Sequence, residues 1–111
     1  DYGHTVILEH RTAEGLPFWT LYGHLGVPLP ALAEGADIAI GQDLAPLGDW
    51  HENGGWAPHL HFQIITSLLT QTGGNFFGVG HDSLWPVWST ISPDPNLILR
   101  LPNAAFGLRG L

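Results

Sequence analysis

The sequence predicts an all-β domain, a small antiparallel barrel or sandwich of short strands with little helix. Three observations carry that prediction. Runs rich in β-branched and aromatic residues fill 5–10, 16–22 and 59–65, the composition that suits a pleated surface. The apolar pieces between them are punctuated by Gly35, Gly41 and Gly48, and glycine supplies the positive φ that tight turns require. Residues 26–33 carry two prolines, which leaves room for one helical turn at most.

In chain order, Thr5 to His10 reads as a strand and Arg11 to Gly15 as a polar turn ending in glycine. Leu16 to Tyr22 is a second strand running into Gly23-His24-Leu25, so the two form a hairpin. Glu34 to Gly48 is expected to form tight short strands. Asp49 to Pro58 is a polar, glycine-containing loop with Trp50 and Trp56, delivering the chain into His59 to Ile65. That segment is the clearest strand and is expected near the centre of the sheet. Thr66 to Gln71 is expected as a short helix and Gly73 to Asp82 as a loop. Ser92 to Leu97 begins with turn chemistry, and an apolar stretch follows at 97–99. Residues 1–100 read as the β domain and 101–111 as a C-terminal tail or linker.

Composition bounds the function. The 111 residues are 44% hydrophobic and 12% charged, a balance that builds one folded domain rather than a disordered chain. Three arginines, no lysine and ten acids give a net charge of −7, so a polyanion would be repelled and nucleic acid is excluded as an expected partner. With no cysteine, histidine and carboxylate are the remaining metal ligands. No apolar run reaches the length of a membrane span. The chain opens without methionine and enters a strand almost at once, and is expected to be a piece of a longer protein.

The histidines carry the chemical signal. In an extended strand His59, His61, Gln63 and Ile65 share one face, while Leu60, Phe62 and Ile64 share the other, which is expected to be the core face. Two residues apart, His59 and His61 have Cα atoms about 6.6 Å apart, near enough for two imidazoles to converge on one ion or reacting group. The pattern also fits a strand whose polar side simply carries histidine. His24 closes its strand beside Gly23, where a histidine can face a cleft or cap a strand end. His4, His10, His51 and His81 show no comparable spacing. Trp56 is the candidate substrate-lining aromatic, and the other tryptophans read as packing.

Taken together, Asp1-Tyr-Gly-His-Thr-Val-Ile-Leu-Glu-His10, Thr20-Leu-Tyr-Gly-His-Leu25, the segment around Gly41-Gln42 and Pro58-His-Leu-His-Phe62 resemble the lysostaphin/LytM-type zinc metallopeptidases. The resemblance covers about residues 1–66 and implies a duplicated-hybrid-motif-like β fold. It implies His61 as a zinc ligand and His24 and His59 as the catalytic histidines. The family's other two ligands, a histidine and an aspartate, precede the first matching strand and are expected upstream of Asp1, with His4, His10 or His51 as substitutes otherwise. Expected substrates are glycine-containing peptides of the peptidoglycan type. Asn53 to Phe62 and Ile91 to Leu99 further resemble metallopeptidase-like domains lying between a kinase-like domain and a class III aminotransferase domain. That context implies other domains of one parent chain as partners and a cytoplasmic home, whereas most stand-alone relatives work outside the membrane. Two other functions are compatible with the same residues: an inactive binding or scaffold module, and a histidine phosphocarrier.

Overall fold

The computed structural model describes residues 2–71 and 76–106; Asp1, residues 73–75 of the expected loop and residues 107–111 of the expected tail lie outside the described residues. Strands dominate. β1 (His4–Arg11), β2 (Pro17–Leu25) and β3 (His61–Ile65) form an open, three-stranded antiparallel sheet in the order β1-β2-β3. The hairpin forms as its sequence predicts. Leu8 faces Thr20 and His10 faces Phe18. The connecting turn is closed by Gly15 N–H donating to the Thr12 carbonyl at 2.9 Å, with Gly15 at φ 86°, a conformation that glycine adopts without steric cost.

Three expectations change. The strand near the histidines starts at His61, with His59 and Leu60 in irregular chain before it, and β3 pairs only with β2, so β2 is central and β3 lateral among the described residues. Residues 34–48 form turns and extended chain joined to the sheet by one bridge, Leu25 to Leu47, rather than strands. Each glycine-bounded apolar piece there is too short to form a ladder. Residues 66–71 form a turn, not a helix; helix appears instead in α1 (Trp85–Ile91), after a 3-10 turn at Asp82–Leu84, and in the single turn α2 (Asn96–Leu99). Pro86 is tolerated in the first turn of α1 because no intrahelical N–H partner is lost there.

The hydrophobic cluster sits on the opposite sheet face from the one expected, although Ile64 on the expected face is buried as well. Gly23 faces His61, Leu21 faces Gln63 and Trp19 faces Ile65 across the β2-β3 pair, so these side chains share a face. Leu21 and Ile65 are fully buried on it, together with Phe76, and Tyr2, Ile7, Trp19, Leu68, Trp88 and Ile91 pack around them. The face of His61 therefore carries the main hydrophobic cluster. The other carries Thr20, Tyr22, Phe62 and Ile64, with Tyr22 and Phe62 rings 5.3 Å apart.

α1 is drawn onto this core by Trp88 and Ile91 and is tied to the end of β3 by Thr66, whose N–H donates to the Ile91 carbonyl at 2.8 Å and whose hydroxyl donates to the Thr90 carbonyl at 2.9 Å. Among the described residues no helix is long and apolar enough to cross a membrane. Leu21→Ala, which opens a cavity under α1, is expected to cost about 2–5 kcal/mol, read as a lower urea midpoint at constant slope.

Candidate functional site

His24 sits at the end of β2 with φ 61° and is only 4% exposed. A non-glycine residue in the left-handed region costs on the order of 1–3 kcal/mol and persists only where its surroundings over-determine it. Here they do. Its N–H donates to the Tyr2 carbonyl at 2.7 Å, its own carbonyl accepts from Gly48 N–H at 3.0 Å, and its ring Nδ1 is 2.8 Å from the Asn53 carbonyl oxygen. A carbonyl can only accept, so Nδ1 carries the proton and Nε2 has a free lone pair.

Asn53 is the fixed point of the 48–56 loop. It is completely buried. Its amide donates to the carbonyls of Gly48 (2.9 Å) and Trp56 (2.8 Å) and accepts from the N–H groups of Gly55 (3.1 Å) and Trp56 (2.8 Å). Both amide donors and both acceptor positions are used, which is the full capacity of the side chain. Backbone closes over it: a Cβ on Gly3 would lie 2.4 Å from the Asn53 Cα, and one on Gly48 2.6 Å from the Leu25 carbonyl oxygen. Only glycine permits that approach.

The three predicted histidines come together at this point. The rings of His24 and His59 have centroids 4.3 Å apart, and those of His24 and His61 5.9 Å apart. His59 Nδ1 is 2.7 Å from the Ala57 carbonyl, so it too is the protonated nitrogen and Nε2 is free. His61 is the reverse. Gln63 donates its amide N–H to the Phe77 carbonyl at 2.9 Å and to Ser92 Oγ at 2.6 Å, leaving Oε1 to accept from His61 Nε2–H at 3.0 Å and His61 Nδ1 as the free nitrogen. Trp56 stands at the rim, half-exposed, with its ring 5.8 Å from His24 and 6.2 Å from His59.

Tyr2 fills the space between His24 and His61, edge-on to both at 5.7 and 4.7 Å. Its hydroxyl is buried and has no hydrogen-bond partner among the described residues. Burial raises the phenol above its ordinary value of 10.0, because the charged form loses its solvation. No sequence signal marks this residue beyond its place in the first segment of the resemblance. Asn53 was hidden in an Asn-Gly-Gly run that reads as turn chemistry, and Gln63 was visible only as a residue sharing the face of His61.

The other histidines stand apart. His10 lies on the opposite sheet face, bonded to Thr20 Oγ1 at 2.7 Å and stacked on Phe18. His4 and His81 are exposed. His51 joins Asp49 and Glu52, the one group of three among the described residues whose potential ligand atoms all lie within 4.8 Å of one another, on the outer side of the loop. None of His4, His10 or His51 completes such a group with His61. Compared with known protein families, curated proteins and solved structures, the chain matches none.

Two outcomes follow. Asn53→Asp removes both amide donors and sets a carboxylate against two carbonyls, and is expected to lower stability by at least about 2 kcal/mol, with altered near-ultraviolet dichroism from Trp56; an unchanged urea midpoint would contradict the role of Asn53. Tyr2→Phe is expected to keep or raise stability, since it deletes a buried hydroxyl that makes no bond. The sign with pH follows from linkage. The folded phenol holds its proton more tightly than the unfolded one, so its contribution is intact below pH 10.0 and is lost as pH rises through the folded value. An alkaline denaturation series should show that loss in the parent chain and not in Tyr2→Phe.

Proposed function

We propose that this chain is the histidine-bearing part of a zinc-dependent metalloendopeptidase-like domain of the lysostaphin/LytM type, its open sheet completed into a barrel or sandwich by further strands of the parent protein. The observation that carries the reading is the meeting of His24 and His59, rings 4.3 Å apart and each with a free Nε2, beside His61 with a free Nδ1. His61 would be the zinc ligand of this segment. A catalytic zinc takes three protein ligands and an open position, and the described residues offer no convergent trio at His61. The resemblance assigns the remaining histidine and aspartate to the parent chain.

When bound, zinc supplies a Lewis acid and lowers the pKa of its water towards about 7. The chain's own residues do the rest. In this reading the Nε2 lone pairs of His24 and His59 would accept the proton of the attacking water, and the imidazolium so formed would donate to the developing oxyanion, contributions of about 10²–10⁴-fold in general acid–base catalysis. The Nδ1–H bonds to the Asn53 and Ala57 carbonyls leave the lone pair on Nε2 in both rings. Trp56 at the rim would line a peptide substrate, with glycine-containing bonds of the cell-wall type as the substrate class.

A second reading, a non-catalytic binding module, is favoured by one observation: three histidines meet without forming a three-ligand set. Elemental zinc content separates the two. The parent protein, reaching upstream of Asp1, is expected to carry one zinc per chain that His61→Ala removes. His24→Ala and His59→Ala should retain the metal and lose about 10²–10⁴-fold in cleavage of a glycine-containing peptide. A parent protein that stays metal-free at micromolar zinc would refute the peptidase reading in favour of the binding module.

A further inference from the structure

A cavity of about 360 Å³, lined by His61 but not by His24 or His59, opens between β3, the chain following Phe76 and helix α1. Its size falls in the range of small-ligand sites. Phe77, Trp85 and Trp88 line it, together with Asp82 and Gln63. Trp88 is anchored on the core and its ring lies 5.2 Å from that of Phe77. Trp85 is 69% exposed although it opens a helix whose other aromatic is packed.

The polar inventory of this cavity holds a carboxylate and the indole N–H of Trp88, which is buried and makes no hydrogen bond among the described residues. Gln63 spends its amide hydrogens on the Phe77 carbonyl and Ser92 Oγ, and its oxygen on His61, so it has no donor left for an anion. Among the described residues no arginine lines the cavity, and the sequence contains no lysine; Arg11 pairs with Glu9 on the hairpin. Asp82 is the lining carboxylate, and His61 and His81 are the other titratable groups there. Aromatic faces attract a cation through their quadrupole, and a carboxylate beside them adds a charged partner. A net charge of −7 raises the local concentration of cations and lowers that of anions.

We propose that this cavity is a binding site for an organic ammonium group, seated on the tryptophan faces with Asp82 as its counter-charge. It lies mostly outside the residues that carry the peptidase resemblance, and it depends on neither zinc nor hydrolysis. The ligand class is a small apolar body bearing a primary or quaternary ammonium, and a phosphate or carboxylate would meet no lysine or arginine among the described lining residues.

The test is a titration of the 111-residue chain with choline and with its neutral isostere 3,3-dimethylbutan-1-ol, followed by tryptophan fluorescence. Choline is expected to bind saturably and at least tenfold more tightly than the alcohol. Asp82→Asn and Trp85→Ala, both at exposed positions, should each weaken choline at least fivefold without moving the urea midpoint. Equal affinity for the two probes, absence of saturable choline binding, or unchanged choline affinity in both variants would each overturn the site.

Discussion

The hydrogen bond from His24 Nδ1 to the Asn53 carbonyl is the interaction on which the site depends. It crosses from the end of β2 to the loop that precedes β3, two segments 29 residues apart in sequence. A buried histidine in the left-handed region is unfavourable twice over, in backbone strain and in desolvation of its Nδ1–H. Three hydrogen bonds, from Tyr2, Gly48 and Asn53, offset both. Asn53 can serve this role because its side chain is itself saturated, so the carbonyl that faces His24 belongs to a residue with no freedom to turn away. Ordering the loop in this way also brings Trp56 and His59 to the same place.

A second constraint follows from the sheet. The imidazole of His61 lies on the face that buries Leu21 and Ile65, so His61 and the buried His24 continue the hydrophobic core, while His59 is exposed at its edge. Tyr2 is the piece that joins them, packed against the core cluster and edge-on to both His24 and His61. Side chains held by packing keep their rotamers, and fixed imidazoles are what proton transfer or ligand binding requires. The glycines at 3, 23, 48 and 78 are the counterpart of this density. At Gly78 a Cβ would meet the Tyr2 hydroxyl.

How much of this was legible in the sequence depended on whether the deciding contacts were local. The hairpin was, because alternation and turn chemistry lie within one short stretch. The antiparallel, strand-dominated character was as well. Alternation also identified His61 and Gln63 as neighbours on one face, but it could not say which face meets the core. That choice is made by α1 and Phe76, which arrive from later in the chain. The expected strands at 34–48 failed for a related reason: short apolar pieces between glycines supply no partner of their own, and the sheet offers them only the bridge at Leu47. Asn53 reads as an ordinary turn residue because its burial is a tertiary fact, set by Gly3 and Gly48 closing over it.

The protonation pattern of the three imidazoles is the most direct check on the site. Nitrogen-15 chemical shifts of the neutral histidines, assigned by single substitution, should give the Nδ1–H tautomer for His24 and His59 and the Nε2–H tautomer for His61. The Nε2–H tautomer at His24 would mean that the bond to Asn53 does not form, and with it the arrangement of loop, rim and cluster built on that bond would fall.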